Sequence, residues 1–334
     1  MDIDIVVLWV DGDDPAWRAE LAKYSPGRVD DSNSENRFRD WGLMPYWFRA
    51  VEAFAPWVRR IHFVTWGHTP AFLRLDHPRL HVVNHRDFMP PEYLPSFNAC
   101  ALEMNIHRIE GLSEHFIYFN DDMFLLRPLA PEYFFKNGLP RAHFAEVPMG
   151  FVGKTKVWQL LCANDLGIVN KYFDKRETQR RHPGKYYNLR YHWYDNLRSA
   201  VMGLLYPHYY TGFKNMHAPA AYLKSTFETL WQREPELLAR TSAHRFRDRD
   251  DVNQWLALWW QVAAGQFCPL RMNTSTVAAS EAEIREICDS IVGRKHEMIC
   301  INDPEEAEDV EKLSAALREA FERLLPGKCS FERE

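Results

Sequence analysis

The run Ile3–Val10, apolar except for Asp4, stops abruptly at Asp11-Gly12-Asp13-Asp14-Pro15. A short β-branched run bounded by turn formers reads as a buried strand followed by a turn. Ile61–Thr65 and Leu80–Val83 repeat the pattern, and His115–Phe119 makes a fourth strand. Between them lie stretches of helical spacing. Pro45–Arg59 carries Trp47, Phe48, Val51 and Phe54, and a second helix covers about Asn98–Ile109. Strands alternating with helices predict βαβ units and a mostly parallel sheet, hence an α/β chain. Such sheets bind ligands outside the carboxyl ends of their strands. The residues standing there are Asp11-Gly12, Trp66-Gly67-His68, Asn84-His85-Arg86-Asp87 and Asn120-Asp121-Asp122. Carboxylates, imidazoles and amides thus occupy the places where a nucleotide site would be.

The stretch 150–210 breaks this rhythm. Asp174-Lys175-Arg176 and Arg180-Arg181-His182-Pro183-Gly184-Lys185, with Arg190 and Arg198, are interleaved with Tyr172, Tyr186, Tyr187, Tyr191, Trp193 and Tyr194. It reads as an insertion with a helix near Tyr194–Leu205. Ala220–Leu238 and Asp251–Ala264 are helical by pattern. Met298–Ile301 reads as a short strand leading into Asn302-Asp303-Pro304. The last helix is expected to run from there, with Val310, Leu313, Leu317, Phe321 and Leu324 as its apolar stripe.

Charge and cysteine usage exclude several functions. A net charge of −5 provides no global basic field for nucleic acid. The six cysteines are scattered without a CxxC pair, so neither a zinc site nor a disulfide framework is indicated. Without a basic leader or a long apolar run, the expected setting is the cytoplasm, with attachment to the inner face of a membrane left open. Aromatic residues make up 14% of the chain, and those near strand ends can stack on sugar or base rings as readily as they can fill a core.

Asn120-Asp121-Asp122 is the sharpest local signal. Adjacent carboxylates after a strand offer hard oxygen ligands to Mg²⁺ or Mn²⁺, which can bridge diphosphate oxygens; they also suit an ordinary turn. Asp11-Gly12 divides the same way, between close backbone approach to a ligand and a tight turn. In Asn302-Asp303-Pro304, Asp303 reads as a helix cap with Pro304 at the first helical position, which leaves Asn302 to face a metal or phosphate. His217, in a loop before Pro219, suits a base, an acid or a phosphate ligand. Arg247 sits in the charge run 244–251, and its planar fork suits pyrophosphate. A surface histidine and a solvated charge run are the plain alternatives.

Taken in order, these motifs resemble the Stealth family of hexose-1-phosphate transferases. Asp4-Ile5-Val6-Val7-Leu8-Trp9-Val10-Asp11-Gly12-Asp13-Asp14-Pro15 is similar to the family's first region. Arg37-Phe38-Arg39-Asp40, Ala55-Pro56-Trp57-Val58-Arg59, Leu94-Pro95-Ser96-Phe97-Asn98 and Phe116-Ile117-Tyr118-Phe119-Asn120-Asp121-Asp122 resemble the second. His217-Ala218-Pro219 with 244–254 resembles the third, and Ile299-Cys300-Ile301-Asn302-Asp303 the fourth. Val7-Leu8 stands where the family commonly has Tyr-Thr, and Ser96 where it commonly has Thr. Neither departure touches the chemistry.

The family includes bacterial capsule polymerases and the animal enzyme that begins the mannose-6-phosphate tag. The resemblance implies a Rossmann-like, GT-A-related core, a UDP-sugar donor, a glycan or glycan-phosphate acceptor, a divalent metal and a phosphodiester product, with UMP released. It implies catalytic roles for Asp122, His217 and Arg247, with Asp122 and His217 both open as the base. Asp121, Asp122 and Asn302 are the implied metal ligands. Donor contacts are expected from Trp9, Val10, Asp11, Gly12, His68, Asn98 and Asn120. The chain then divides into a nucleotide-sugar half (1–149), a basic and aromatic insertion as candidate acceptor surface (150–210), and a second half completing the core (211–334). A metal-dependent glycosyltransferase releasing UDP, and a carbohydrate-binding protein using its aromatics as a platform, are the rival readings.

Overall fold

The structure is a computed structural model that describes residues 1–25, 38–151, 155–303 and 309–333. Four strands, β1 (Ile3–Leu8), β2 (Arg60–Thr65), β3 (Leu80–Asn84) and β4 (His115–Asn120), lie parallel. Beyond β4 the chain turns through Asp121-Asp122 into β5 (Met123–Leu125), then forms the hairpin β6 (Phe135–Lys136) and β7 (Leu139–Ala142). β8 (Ala220–Leu223) returns antiparallel to β4, giving the main sheet the order β3-β2-β1-β4-β8. β9 (Cys268–Pro269) joins β7, while β10 (Thr274–Ala278) and β11 (Met298–Asn302) form a second small sheet with β5. The chain is therefore α/β with a mostly parallel main sheet.

Strand faces alternate, so each side of the sheet builds its own core. Ile3, Ile5, Val7, Ile117 and Phe119 pack on one side against the helix Met44–Phe54, which buries Trp47, Phe48, Val51 and Phe54. The closing helix Val310–Leu324 adds Leu317, Phe321 and Leu324 to this side. Val6, Phe116 and Tyr118 face the other side, where Ala99–Asn105, Gln254–Ala263 and the 150–210 stretch pack. Asp4 is the polar exception within β1. It is fully buried, and it accepts hydrogen bonds from Arg59 at 2.8 and 2.5 Å and from the Ser113 amide at 2.8 Å, with His62 Nε2 at 3.1 Å.

Three expectations need correction. Ala220–Leu238 is not one helix. Its first four residues complete the sheet edge as β8, and Pro235, lacking an N–H, separates Lys224–Arg233 from Pro235–Ala243. The helix expected from Asp251 begins at Gln254, where the Asn253 side chain caps it by accepting from the Trp255 amide. The last helix starts at Val310 with Asp309 as its cap, whereas the Asp303 carboxylate pairs with Arg39 at 2.9 Å. Arg37 and Pro304 lie outside the described residues.

The 150–210 stretch holds the helices Val157–Tyr172, Lys175–Arg181, Pro183–Tyr186 and Trp193–Leu205. Some residues counted toward a basic acceptor surface turn inward. Lys175 is buried against Glu146 at 2.9 Å, Tyr186 donates to the Val262 carbonyl at 2.6 Å, and Tyr191 donates to the Lys185 carbonyl at 2.8 Å. Packing took these side chains because each found a buried partner.

Candidate active site

The chain winds from β1 to β2 to β3 on one side of β1, then returns to place β4 on its other side. That reversal opens a crevice beyond the carboxyl ends of β1 and β4. Leu8 lies level with Asn120, so Trp9-Val10-Asp11-Gly12 and Asp121-Asp122 project past the same rim.

On the β1 side the backbone is drawn in tightly. The Gly12 amide donates to the Phe38 carbonyl at 2.9 Å, and a Cβ on Gly12 would fall 2.1 Å from that oxygen. Only glycine fits this approach. The Asp11 amide donates to His68 Nε2 at 2.9 Å, which assigns the imidazole proton to Nδ1, 4.0 Å from Asp14. Burial pulls His68 below its ordinary pKa and keeps the ring neutral, as an acceptor must be. The Asp11 carboxylate accepts from the Asp13 amide at 2.9 Å. Trp9 is buried, its ring stacked on Phe63 at 5.5 Å and edge-on to His68 at 5.2 Å. Val10 and Trp66 pack against a small aromatic cluster of Trp17, Phe97 and Phe246.

Asn98, expected to contact the donor, also organises the chain around it. It is fully buried and caps Ala99–Asn105 by accepting from the Cys100 amide at 3.0 Å. Its amide nitrogen donates to Asp251 at 2.8 Å and to the His244 carbonyl at 3.2 Å. Through these bonds Asn98 holds the 244–251 loop in place.

On the β4 side, β5 runs antiparallel to β11, pairing Met123 with Cys300, and the Ile301 amide donates to the Asp122 carbonyl at 2.9 Å. The end of β11, and Asn302 with it, is thereby brought to the Asp pair. His217 Nε2 stands 3.9 Å from Asp122 Oδ2. Asp122, His217 and Cys300 place ligand-type atoms within 4.8 Å of one another. Asp122 Oδ1 is shielded from water and has no hydrogen-bond partner among the described residues. Burial, then the charges of Asp122 and Asp40, push the Asp121 carboxyl up to about 8. A partnerless oxygen beside mutually repelling acids fits a divalent cation. Asp121, Asp122 and Asn302 offer the hard oxygens such an ion prefers. The Cys300 thiol, pushed well up by burial and hydrogen-bonded to Asn302 Oδ1 at 3.5 Å, positions that amide and suits a hard ion poorly.

His217 adopts φ +39°, in the left-handed region that costs a side chain strain, and its amide donates to Asn215 Oδ1 at 2.8 Å. Burial would lower its imidazole, but Asp122 and Asn302 outweigh burial and raise it above the ordinary value. Within the charge run 244–251, Arg245, Arg249 and Asp250 are exposed, whereas Arg247 turns inward. Its Nε is shielded and has no hydrogen-bond partner among the described residues, and Cys100, Glu103 and Asp251 lie within electrostatic reach.

Two residues escaped the sequence reading. Cys300 was legible, since strand alternation places it on the same face as Asn302. Glu103 was legible as a carboxylate in a helix buried all round. It accepts from Tyr118 at 2.9 Å and from the Gln254 amide at 3.1 Å, and its charge acts on both Arg247 and His217.

Comparison with known proteins follows the same segments. Residues 1–29, 37–142 and 216–260 match the descriptions Stealth protein CR1, CR2 and CR3, conserved regions 1, 2 and 3. The chain is 39% identical to a capsular polysaccharide phosphotransferase WcwK of Streptococcus pneumoniae, covering 99% of both chains. It is 38% identical to the receptor polysaccharide phosphotransferase WefC of Streptococcus oralis, again over 99% of both. The exopolysaccharide phosphotransferase cps2G of Lactiplantibacillus plantarum is 37% identical, over 99% of this chain and 96% of that one. Among solved structures, the galactosyltransferase LgtC is similar over 98% of both chains at 12% identity, with a TM-score of 0.38, too loose a likeness to carry an argument.

Proposed function

The chain belongs to the Stealth family and is a transferase, and from that premise we propose that it moves a hexose 1-phosphate from a UDP-sugar to a hydroxyl of a glycan acceptor. The preferred donor is a UDP-N-acetylhexosamine, and the setting is synthesis of a capsular or cell-surface polysaccharide, as the names of the relatives suggest. The acceptor oxygen attacks the sugar-linked phosphorus. A new O–P bond forms, the P–O bond to UMP breaks, and the hydroxyl proton passes to a base on the protein. The anomeric C–O bond is untouched, so its configuration is retained.

The observation that carries this reading is the meeting of Asp122 and His217, 3.9 Å apart, at the crevice between β1 and β4. Asp121, Asp122 and Asn302 would hold Mg²⁺ or Mn²⁺, and such an ion, when bound, neutralises diphosphate charge. The strained His217 faces the same point, and it and Asp122 are the two groups able to take the acceptor proton. Arg247, kept charged and aimed inward, stabilises the phosphoryl oxygens as charge moves onto them. Trp9 and His68 wall the donor side, and Gly12 lets the backbone come close.

The test is a panel of UDP-sugars with Mg²⁺ or Mn²⁺, following nucleotide release with and without glycan acceptor. UMP release supports the proposal. UDP release would make the enzyme a glycosyltransferase that breaks the C–O bond instead.

A further inference from the structure

The helix Trp193–Leu205 is built inside out. Asp195 and Ser199 are buried, while Trp193, Tyr194, Leu197, Val201, Leu204 and Leu205 are exposed. At 100° per residue these six side chains fall within an arc of about 120° opposite Asp195 and Ser199. Exposure reaches 75% at Trp193 and 83% at Leu204, and Leu189, just before the helix, is fully exposed. Most of the exposed large apolar side chains among the described residues lie between 187 and 209. Monomeric proteins rarely leave so concentrated a patch uncovered.

The polar face explains the orientation. Asp195 takes Arg198 at 2.7 Å, His143 at 3.1 Å and Lys214 at 3.2 Å, and Ser199 Oγ accepts from the Glu146 amide at 3.0 Å. These buried contacts fix the helix with its apolar side outward. Basic chain adjoins it. Lys175, at the start of Lys175–Arg181, donates to the Met202 carbonyl at 3.1 Å, and Tyr187 bridges to Gln179 of that helix at 3.0 Å. Arg176, Arg180, Arg181 and Arg190 are exposed. Residues 150–210 hold ten Lys and Arg against four Asp and Glu in a chain of net charge −5.

We propose that this face seats the enzyme on an anionic lipid bilayer, with the apolar arc of Trp193–Leu205 entering the headgroup boundary and the arginines meeting lipid phosphates. A Trp, Tyr and Leu face beside arginines is the composition of an interfacial helix. A glycan track fits less well, because leucines offer sugar hydroxyls no hydrogen bonds. A second copy of the chain fits less well too, since a two-fold pairing of this face would set its basic neighbours against themselves. The Lys214 backbone, anchored by its amide to the Ala145 carbonyl at 2.8 Å, runs on to His217. The docking helix and the reaction site thus share one stretch of chain.

The experiment is flotation of the full-length protein with vesicles of phosphatidylcholine alone or mixed with phosphatidylglycerol, alongside sedimentation velocity without lipid. Expected is binding to the anionic vesicles that weakens with salt. Leu197→Glu with Leu204→Glu should lower the partition coefficient on the order of tenfold or more while circular dichroism is unchanged. Arg176→Glu with Arg190→Glu should reduce binding to anionic vesicles and flatten its salt dependence. Failure to float with either vesicle, flotation untouched by the leucine substitutions, or a dimer in solution that those substitutions disperse would overturn the proposal. None of these readouts depends on the donor, so the proposed reaction stands or falls separately.

Discussion

Asn98 and Asp251, 153 residues apart in sequence, meet in a buried hydrogen bond of 2.8 Å. Asp251 also accepts from the Asp248 amide at 2.8 Å and pairs with His244 at 2.7 Å, so the Asn98 amide holds the loop that carries Arg247. Asn98→Ala would leave a buried carboxylate oxygen short of a donor and uncap Ala99–Asn105. The expected loss is about 2 kcal/mol of stability, with a fall in kcat larger than any change in donor KM. Urea denaturation and steady-state kinetics measure both. An unchanged midpoint would refute the structural role.

The strands β1 to β4 were legible because they are short apolar runs with turn formers at their ends, and the residues beyond them could be read in place. β8 was not legible. Ala220–Leu223 is four residues long and joins a helix without a break in pattern, so only pairing with β4 makes it a strand. The Asp pair and Asn302 were legible as strand ends, but their meeting depends on β5 against β11, which local pattern does not encode. Arg247 and Asn98 show the opposite limit. Both are polar and lie in polar stretches, and only tertiary packing decides that one turns inward and the other holds the loop.

Removal of one carboxylate should separate metal binding from folding. Asp122→Asn keeps the shape of the side chain but removes one carboxylate from the pair, and Asp122 Oδ1 has no partner to lose among the described residues. Turnover is expected to vanish in Asp121→Asn and in Asp122→Asn, with unfolding midpoints near wild type without metal. Mn²⁺ at a hundredfold over its Kd should stabilise the wild type by about 3 kcal/mol and the variants little. Equal thermal shifts in all three proteins would remove the ion from this position.

Arg247→Lys tests the fork rather than the charge. Lysine keeps the positive charge beside Glu103 and Asp251, but it offers a point donor where the guanidinium offers two in a plane. A kcat loss on the order of 10³ is expected, with donor KM much less affected. A near-wild-type kcat would leave Arg247 a structural partner of Glu103.

Asp4 supplies a pH test of the fold that is separate from the chemistry, because it lies near the amino end of β1, whereas Asp11 follows the carboxyl end. Burial alone would raise its pKa, but His62, Arg59 and the Ser113 amide outweigh burial and hold it at about 2, against 3.8 for the free group. The ionised form is therefore favoured by folding. The stabilisation is fully present above pH 3.8 and is lost as pH falls through about 2. Its size is about 2 kcal/mol near neutrality, since each pKa unit corresponds to about 1.4 kcal/mol. Asp4→Asn cannot ionise, so it should be less stable than wild type by about that amount at pH 7. The gap should shrink to roughly half at pH 3, where the folded carboxylate is mostly charged and the unfolded one mostly protonated. Urea denaturation of both proteins at pH 7, 5 and 3 reads the gap directly. Activity at pH 7, assayed well below the unfolding midpoint, should match wild type, because Asp4 touches nothing in the crevice. A gap independent of pH would mean that hydrogen-bond geometry rather than charge holds β1, and a loss of kcat would mean that the base of the sheet is coupled to its rim.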